Sequence, residues 1–288
     1  MTLVEAAAVP PSAPLETRAV TRNCPLCGSD NRARPRAPES PEAWPMKACL
    51  RCGMVYLERA PDIAELFVNF AWEKQLGVEN ARRHDGLSRA EVRARDALRG
   101  FRPMPRKNAV ALVERHAAPG LVVDVGCGGG QQLAELSADF IPLGIEISEA
   151  LAAEAQERLA NRGGRVINAD ALSGLQRLTP NIFCAIIMRS FLEHDINPGP
   201  VLDACSRALA PGGVVVIKVP NYACLNRRVT GSRWCGFRFP DHVNYFTPPT
   251  LARFVTNAGL QVHEFGPTFR LPTSDNMWMV ARRPVRHD

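Results

Sequence analysis

From residue 121 onward, short apolar runs alternate with segments whose apolar residues recur every three or four positions. LVVDVG (121–126), FIPLGIEIS (140–148), RVINAD (165–170), FCAIIMRS (183–190) and GGVVVIKVP (212–220) predict five strands. Between them, QLAELSAD, EALAAEAQERLANRG and PVLDACSRALA carry the helical period. Strands buried on both faces, alternating with helices, build a parallel sheet. Near the end, TLARFVTNAGL predicts a helix capped by Thr247 with Pro248 in its first turn, and GLQVHEFGP with NMWMVARR predicts a last strand pair. Upstream, residues 62–118 read as helical through PDIAELFVNFAWEKQL, LSRAEVRARDALRG and RKNAVALVERHA.

The chain has 288 residues, enough for one domain of ordinary size and a small appendage. Its 46% apolar and 22% charged content is that of a globular protein, and no apolar run approaches the roughly 18 residues of a membrane span. Residues 1–20 read as a disordered Ala/Pro tail rather than a signal peptide, so a cytoplasmic location with no membrane partner is expected. The net charge of +6 is carried mostly by arginine, and the basic stretch from Arg82 to Lys107 reads first as a solvated helix face and second as a nucleic-acid surface.

Four of the nine cysteines fall in two repeats, CPLCG at 24–28 and CLRCG at 49–53. Paired CxxC knuckles supply four thiolates at tetrahedral reach, so Cys24, Cys27, Cys49 and Cys52 are expected to hold a structural Zn2+, with residues 21–60 forming a zinc ribbon. A redox pair or an iron–sulfur site is the alternative. Cys127, Cys184, Cys205, Cys224 and Cys235 are scattered and read as isolated thiols.

The stretch VVDVGCGGGQQL poses the functional question. Glycine-rich turns after a strand usually cradle phosphate, but the dinucleotide fingerprint needs a third glycine where Gln131 stands, and Asp124 places negative charge where a pyrophosphate would sit. A carboxylate beside bare backbone suits a ligand that carries an ammonium and an adenosine but no phosphate, as S-adenosylmethionine does. Acidic residues then end three successive strands, Asp124, Glu146 and Asp170, along the edge where open α/β sheets bind ligands. Glu146 can accept both ribose hydroxyls, and Asp170 the adenine amino group.

With DVGCGGG, GIEIS, NADAL, MRSFLEHDINP and LAPGGVVVIKVPN, residues 104–283 resemble the class I S-adenosylmethionine-dependent methyltransferases. The resemblance implies a doubly wound, Rossmann-like, mostly parallel sheet of seven strands in the order 3-2-1-4-5-7-6, with strand 7 reversed. It implies that Asp124, Gly126, Gly128 and Gly130 hold the methionine end of the cofactor, Glu146 and Ile147 the ribose, and Asp170 and Ala171 the adenine, with Arg189 beside them at the end of the fourth strand. Preceded by CPLCG and CLRCG, the domain is similar to a bacterial group of zinc-ribbon methyltransferases that modify sugars, glycans and other small metabolites, and PDHVNYFTPPTLARFVTNAGL resembles a stretch of that group. Its sugar C-methylating members carry a further C-terminal domain without counterpart in this sequence. The implied division is a tail to residue 20, the ribbon at 21–60, a helical linker or cap at 61–118 and the methyltransferase domain at 119–288.

Methyl transfer requires aiming the acceptor and removing its proton. The family pattern places Glu193 and His194 on the turn facing the methyl, which makes His194 the first candidate for general base, with Glu193 orienting it or the cofactor; a histidine bonded to backbone is the plainer reading. His242 is the rival base, and His84, His116, His263 and His287 lie away from strand ends. Residues 220–247 predict a long lid loop, in which Arg227, Arg228, Arg233 and Arg238 favour an anionic acceptor and Tyr222, Trp234 and Tyr245 can pack on its rings. The expectation is methyl transfer to a hydroxyl of a small molecule, a sugar, glycan or secondary metabolite. The alternatives are C-methylation of such a molecule, or an RNA or protein methyltransferase that docks through the ribbon. Base methylation is disfavoured, because the fourth strand ends in Arg189-Ser190-Phe191-Leu192 rather than Asn/Asp-Pro-Pro-aromatic and no Pro-Cys nucleophile pair is present. A catechol-type Mg2+ enzyme would need several carboxylates near the fourth strand, where only Glu193 and Asp195 stand.

Overall fold

The computed structural model describes residues 18–62 and 107–285. The expected helix at 61–76 beyond its first two residues, of which Pro61 ends a strand, the expected helix at 87–100, most of the tail, the basic stretch before Lys107, His84 and His287 lie outside them. Among the described residues, the seven strands of the main sheet are β5 (Gly120–Val125), β6 (Phe140–Glu146), β7 (Arg165–Asn168), β8 (Phe183–Arg189), β9 (Leu209–Pro220), β11 (Gln261–Glu264) and β12 (Asn276–Arg282). Their spatial order is β11-β12-β9-β8-β5-β6-β7, with β12 antiparallel to both its neighbours. Counting these strands from one to seven reproduces the expected order and the reversed seventh strand.

Alternate residues of each central strand feed opposite cores. Val123, Val125, Ile186, Met188, Val215 and Ile217 join the apolar residues of α4 (Ala171–Gln176), α5 (Pro198–Ala208) and α7 (Pro248–Asn257) on one face. Val122, Ala185, Ile187, Val214 and Val216 meet α1 (Ala109–His116), α2 (Gln131–Ala134) and α3 (Glu149–Ala160) on the other. Two-sided burial explains why these strands are continuous apolar runs rather than alternating ones. Local chemistry sets the ends of the helices. Ser148 caps α3 by accepting from Leu151 N, and Thr247 caps α7 in a reciprocal arrangement with Thr250, as the Thr-Pro signal predicts. QLAELSAD shrinks to the single turn of α2, with Glu135 closing it as the C-cap.

The N-terminal segment is built from β1 (Ala19–Thr21), β2 (Met46–Ala48), β3 (Val55–Leu57) and β4 (Arg59–Pro61). β1 pairs with β4, so the ordered segment begins before the expected boundary at residue 21. β3 pairs with β2 on one side and with β10 (Asn244–Tyr245), a piece of the distant 220–247 connection, on the other. Met46, Val55, Leu57 and Ala60 share a core with Trp234, Phe237, Val243 and Tyr245. This segment is therefore knitted into the larger domain, not appended to it.

Candidate active site and the four-cysteine cluster

β5 leads directly into the glycine turn. Gly126, Gly128 and Gly130 have φ of 74°, 54° and 76°, the left-handed region that glycine enters without strain. A side chain at Gly126 would also press on Phe191, and one at Gly130 on Ala155. The turn thus presents bare backbone between Asp124 and Glu146. Glu146 Oε2 accepts from Gly128 N at 2.8 Å and Oε1 from Ser148 N at 2.9 Å, which fixes the carboxylate and leaves each oxygen able to accept again. Asn168 donates to the carbonyls of Glu146 and Ile147, both at 2.9 Å, which ties the ends of β6 and β7 together. Asp170 caps α4 through Ser173 N at 3.0 Å; burial pushes its carboxyl up, but the bonds from Ser173 prevail and hold it below its usual value. Ala171 opens that helix, and Arg189 ends β8 exposed.

Asp124 is buried, and the one hydrogen bond to its carboxylate among the described residues comes from Gln132 at 3.4 Å. Burial pushes its carboxyl well above the usual range; Glu146 adds to the rise and Arg189 opposes it. A buried carboxylate with raised proton affinity is suited to an incoming cation, and an amino-acid ammonium supplies one.

Beyond β8 the chain turns through Ser190, whose φ of 56° is unusual for a residue with a side chain and whose hydroxyl accepts from Lys218 Nζ at 2.7 Å. Glu193 and His194 follow. Glu193 is 1% exposed, and burial raises its carboxyl while His194 and Lys218 pull the other way. His194 Nδ1 sits 2.8 Å from Asp241 Oδ1. Burial would lower its proton affinity, but the Asp241 carboxylate outweighs that and raises it. Asp241 in turn pairs with Arg238, and despite its burial these cationic partners bring its carboxyl down to about 2. His242 packs edge-on against His194, centroids 4.7 Å apart, with Nδ1 at 2.9 Å from Gly236 O. Burial, and then His194, push it well below its usual value.

Residues 99–264 match the family described as a methyltransferase domain. The chain belongs to the class I S-adenosylmethionine-dependent methyltransferases. The ubiquinone biosynthesis O-methyltransferase of Burkholderia pseudomallei (strain 1710b) is 32% identical over 183 residues, covering 57% of this chain and 76% of that protein. Its counterpart in Methylococcus capsulatus is 33% identical over 158 residues, 49% of this chain and 62% of that protein. A solved structure from Bacillus halodurans C-125, assigned as a methyltransferase, has a TM-score of 0.50 at 16% identity and covers 61% of this chain and 99% of that one, which shows the fold alone. S-adenosylmethionine is the methyltransferase's cofactor, and the glycine turn and acidic strand ends fit it by charge and by space.

Two sequence expectations need correction. The 220–247 connection is not a structureless lid. It holds α6 (Leu225–Thr230), a turn of tighter helix and β10, and Trp234, Phe237, Val243, Tyr245 and Phe246 are buried. Trp234 and Tyr245 spend their surface on the shared core, where Tyr222 packs against them, so these rings are not laid out for an acceptor. Of the four arginines, Arg227 pairs with Glu39 at 3.0 Å and Arg238 with Asp241, while Arg228 and Arg233 are exposed. The support they gave to an anionic acceptor is halved. Of the remaining histidines, His116 pairs with Glu264 and meets His263 edge-on, away from the site.

Cys24, Cys27, Cys49 and Cys52 converge, all four sulfurs within 4.8 Å of one another. Their two knuckles have matching geometry, with Gly28 N and Gly53 N each donating at 2.8 Å to the carbonyl of the first cysteine and φ of 73° and 75° at the glycines. Sulfur separations of 3.4 Å (Cys24 to Cys52) and 3.5 Å (Cys27 to Cys49) far exceed a disulfide bond of about 2.05 Å and approach the roughly 3.8 Å edge of a tetrahedron with about 2.3 Å metal–sulfur bonds. The cluster suits a structural metal ion.

Sequence reasoning missed Arg22, Asn244 and Asp241. Arg22 donates to Leu57 O at 2.8 Å, Ile196 O at 2.9 Å, Val243 O, and Asn244 Oδ1 at 3.0 Å. Asn244 Nδ2 donates to Leu192 O at 2.8 Å and Asp195 O at 2.6 Å, and Val243 N and Asn244 N both donate to Glu193 O. The bonds to the carbonyls of Leu192, Glu193, Asp195 and Ile196 grip the turn that carries Glu193 and His194, and those from Arg22 to Leu57, Val243 and Asn244 tie it to β3 and to residues 243–244. No local signal reveals them, because their partners lie far away along the chain.

Proposed function

We propose that this methyltransferase transfers its methyl group to a hydroxyl oxygen of a small-molecule acceptor. Asp124 with Gly126, Gly128 and Gly130 holds the methionine end of the cofactor, Glu146 and Ile147 the ribose, Asp170 and Ala171 the adenine, and Arg189 flanks Asp124. The observation that carries the reading is the His194–Asp241 pair. With Nδ1–H committed to Asp241, the lone pair of His194 lies on Nε2, where it can receive the proton of a hydroxyl, and the carboxylate stabilises the imidazolium that forms. Glu193 and His242 complete the acceptor-facing cluster. The cofactor supplies an electrophilic methyl on a sulfonium; the chain's own task is to aim the oxygen and take its proton. Oxygen as acceptor atom agrees with the O-methyltransferase name of the Burkholderia and Methylococcus relatives, which replaces the sugar or glycan expectation with a broader small-molecule one.

The four cysteines, in this reading, hold one structural zinc, and residues 18–62 are a zinc ribbon whose third strand position is filled by β10. No helix among the described residues is long and apolar enough to cross a membrane.

The test is formation of S-adenosylhomocysteine with matched panels of phenols, sugars, nucleotide sugars and RNA. Turnover confined to hydroxylated small molecules, and lowered by about 10² to 10⁴ in His194→Ala with cofactor affinity kept, is the expected result. Turnover on RNA alone, or native turnover in His194→Ala, refutes the reading.

A further inference from the structure

Glu193, His194 and His242 each bring one donor atom within 4.8 Å of the other two. Both imidazoles are held at Nδ1 by acceptors: the Asp241 carboxylate for His194 and the Gly236 carbonyl for His242. A carbonyl can only accept, so Nδ1 of His242 carries the hydrogen and Nε2 the lone pair; the carboxylate imposes the same tautomer on His194. Neither Nε2 has a hydrogen-bond partner among the described residues. A carboxylate behind one ring and a carbonyl behind the other are the outer partners that metal-bound histidines use, because they fix the tautomer and aim the free nitrogen. On Glu193, the third residue, Oε2 is buried and has no hydrogen-bond partner among the described residues. An orphaned buried carboxylate oxygen on a residue whose donor atom lies within 4.8 Å of one on each imidazole calls for a shared occupant.

We propose that Glu193, His194 and His242 bind one divalent transition-metal ion beside the acceptor position. Two imidazoles and a carboxylate favour manganese, iron, cobalt or zinc over magnesium or calcium and leave coordination positions open for an oxygen ligand. His194 keeps 23% of its side-chain surface exposed, so the cluster can be reached from solvent. Two cationic groups face the site. Arg238 is neutralised by Asp241, and Lys218 donates to Ser190 while burial lowers its hold on its proton.

The inference rests on the acceptor hydroxyl lying against this turn, and it changes who activates that hydroxyl. On the bound ion the hydroxyl loses its proton to solvent and stays as an oxyanion. The new C–O bond then forms as the methyl–sulfur bond breaks, and the sulfur keeps the electron pair. In the metal-bound state His194 Nε2 is a ligand, and the ion replaces it as the means of lowering the hydroxyl's proton affinity.

Full-length protein cleared with EDTA and titrated with Mn2+, followed by electron paramagnetic resonance, tests the site without any acceptor. Mn2+ prefers carboxylate and imidazole surroundings, whereas thiolates select softer ions, so the cysteine cluster does not compete for it. One Mn2+ per native chain is expected, with binding weakened at least tenfold in both Glu193→Gln and His242→Gln. Calorimetry with S-adenosylmethionine on the same variants should give native affinity, which shows that they fold. Absence of Mn2+ uptake by the native chain, or undiminished uptake in both variants, overturns the site. Once an acceptor is known, turnover that survives EDTA unchanged but falls in His194→Ala also overturns the cation while leaving direct proton transfer to His194 in place.

Discussion

Removing the charge of Asp124 by Asn should weaken the cofactor and stabilise the empty protein at the same time. Burial raises this carboxyl well above its value in an unfolded chain. Between the unfolded and folded values the native state binds a proton that the unfolded state does not, so the contribution of Asp124 to stability falls as pH rises through that window, by about 1.4 kcal/mol per unit of separation. Above the raised value the empty protein therefore carries a buried, poorly solvated anion, and Asp124→Asn relieves it. A bound ammonium relieves it too, by drawing the carboxyl back to its ionised form. Below the raised value, binding must then release up to one proton and affinity should rise about tenfold per pH unit; above it, affinity should level off. Asn forfeits the charge-assisted contact, worth about 1.5 to 3 kcal/mol, or roughly 10- to 100-fold in affinity. Calorimetry in two buffers of different ionisation enthalpy reads the proton release, and thermal melting of both empty proteins at neutral pH reads the relief. Native affinity in Asp124→Asn, or cofactor binding that releases no proton at any pH, would refute the reasoning.

Other perturbations separate the remaining claims. Metal analysis of the purified chain should find one zinc that withstands mild chelation, and Cys24→Ser with Cys49→Ser should lose it and lower the melting temperature of the whole chain, because the ribbon shares its core with Trp234 and Phe237. Two separate melting transitions, one at the native temperature, would count against that shared core. Arg22→Met keeps the stem of the side chain but strands four acceptors; a loss of about 3 to 5 kcal/mol is expected in urea unfolding, and a loss under 1 kcal/mol would mean the turn is held by other bonds. Asp241→Asn should depress turnover through His194 with cofactor affinity unchanged, and unaltered turnover would remove Asp241 from the proton path.

The parallel sheet was legible because each strand is a dense apolar run bounded by turn residues, and the shared edge that carries Asp124, Glu146 and Asp170 because they stand where such strands end. Thr247 with Pro248 announced its helix for the same reason: the cause is local. The paired glycines of the two knuckles were equally readable. What the sequence hid depends on pairing across the chain. Asp241 stands beside His242, yet nothing in PDHVNYF says that its carboxylate faces His194, 47 positions earlier. The 220–247 connection looked like a lid because its aromatics and arginines lack a period. Their partners, Glu39 and the strands of the ribbon, could be found only in three dimensions. A four-residue α2 in place of a full helix shows the limit of periodicity for short segments.

The pairing of β3 with β10 constrains how the chain can be made. Arg22 and Val243 are 221 positions apart, so during synthesis the segment around Arg22 waits for one made much later before its surface is covered. Its cysteines can fold two tight loops around an ion at once, while Val55, Tyr56 and Leu57 stay open until Asn244 and Tyr245 arrive. A shortened version starting near residue 107, the natural choice for crystallisation, would leave the other half of that seam bare, with Trp234, Phe237 and Tyr245 turned toward water, and should aggregate where the full chain does not.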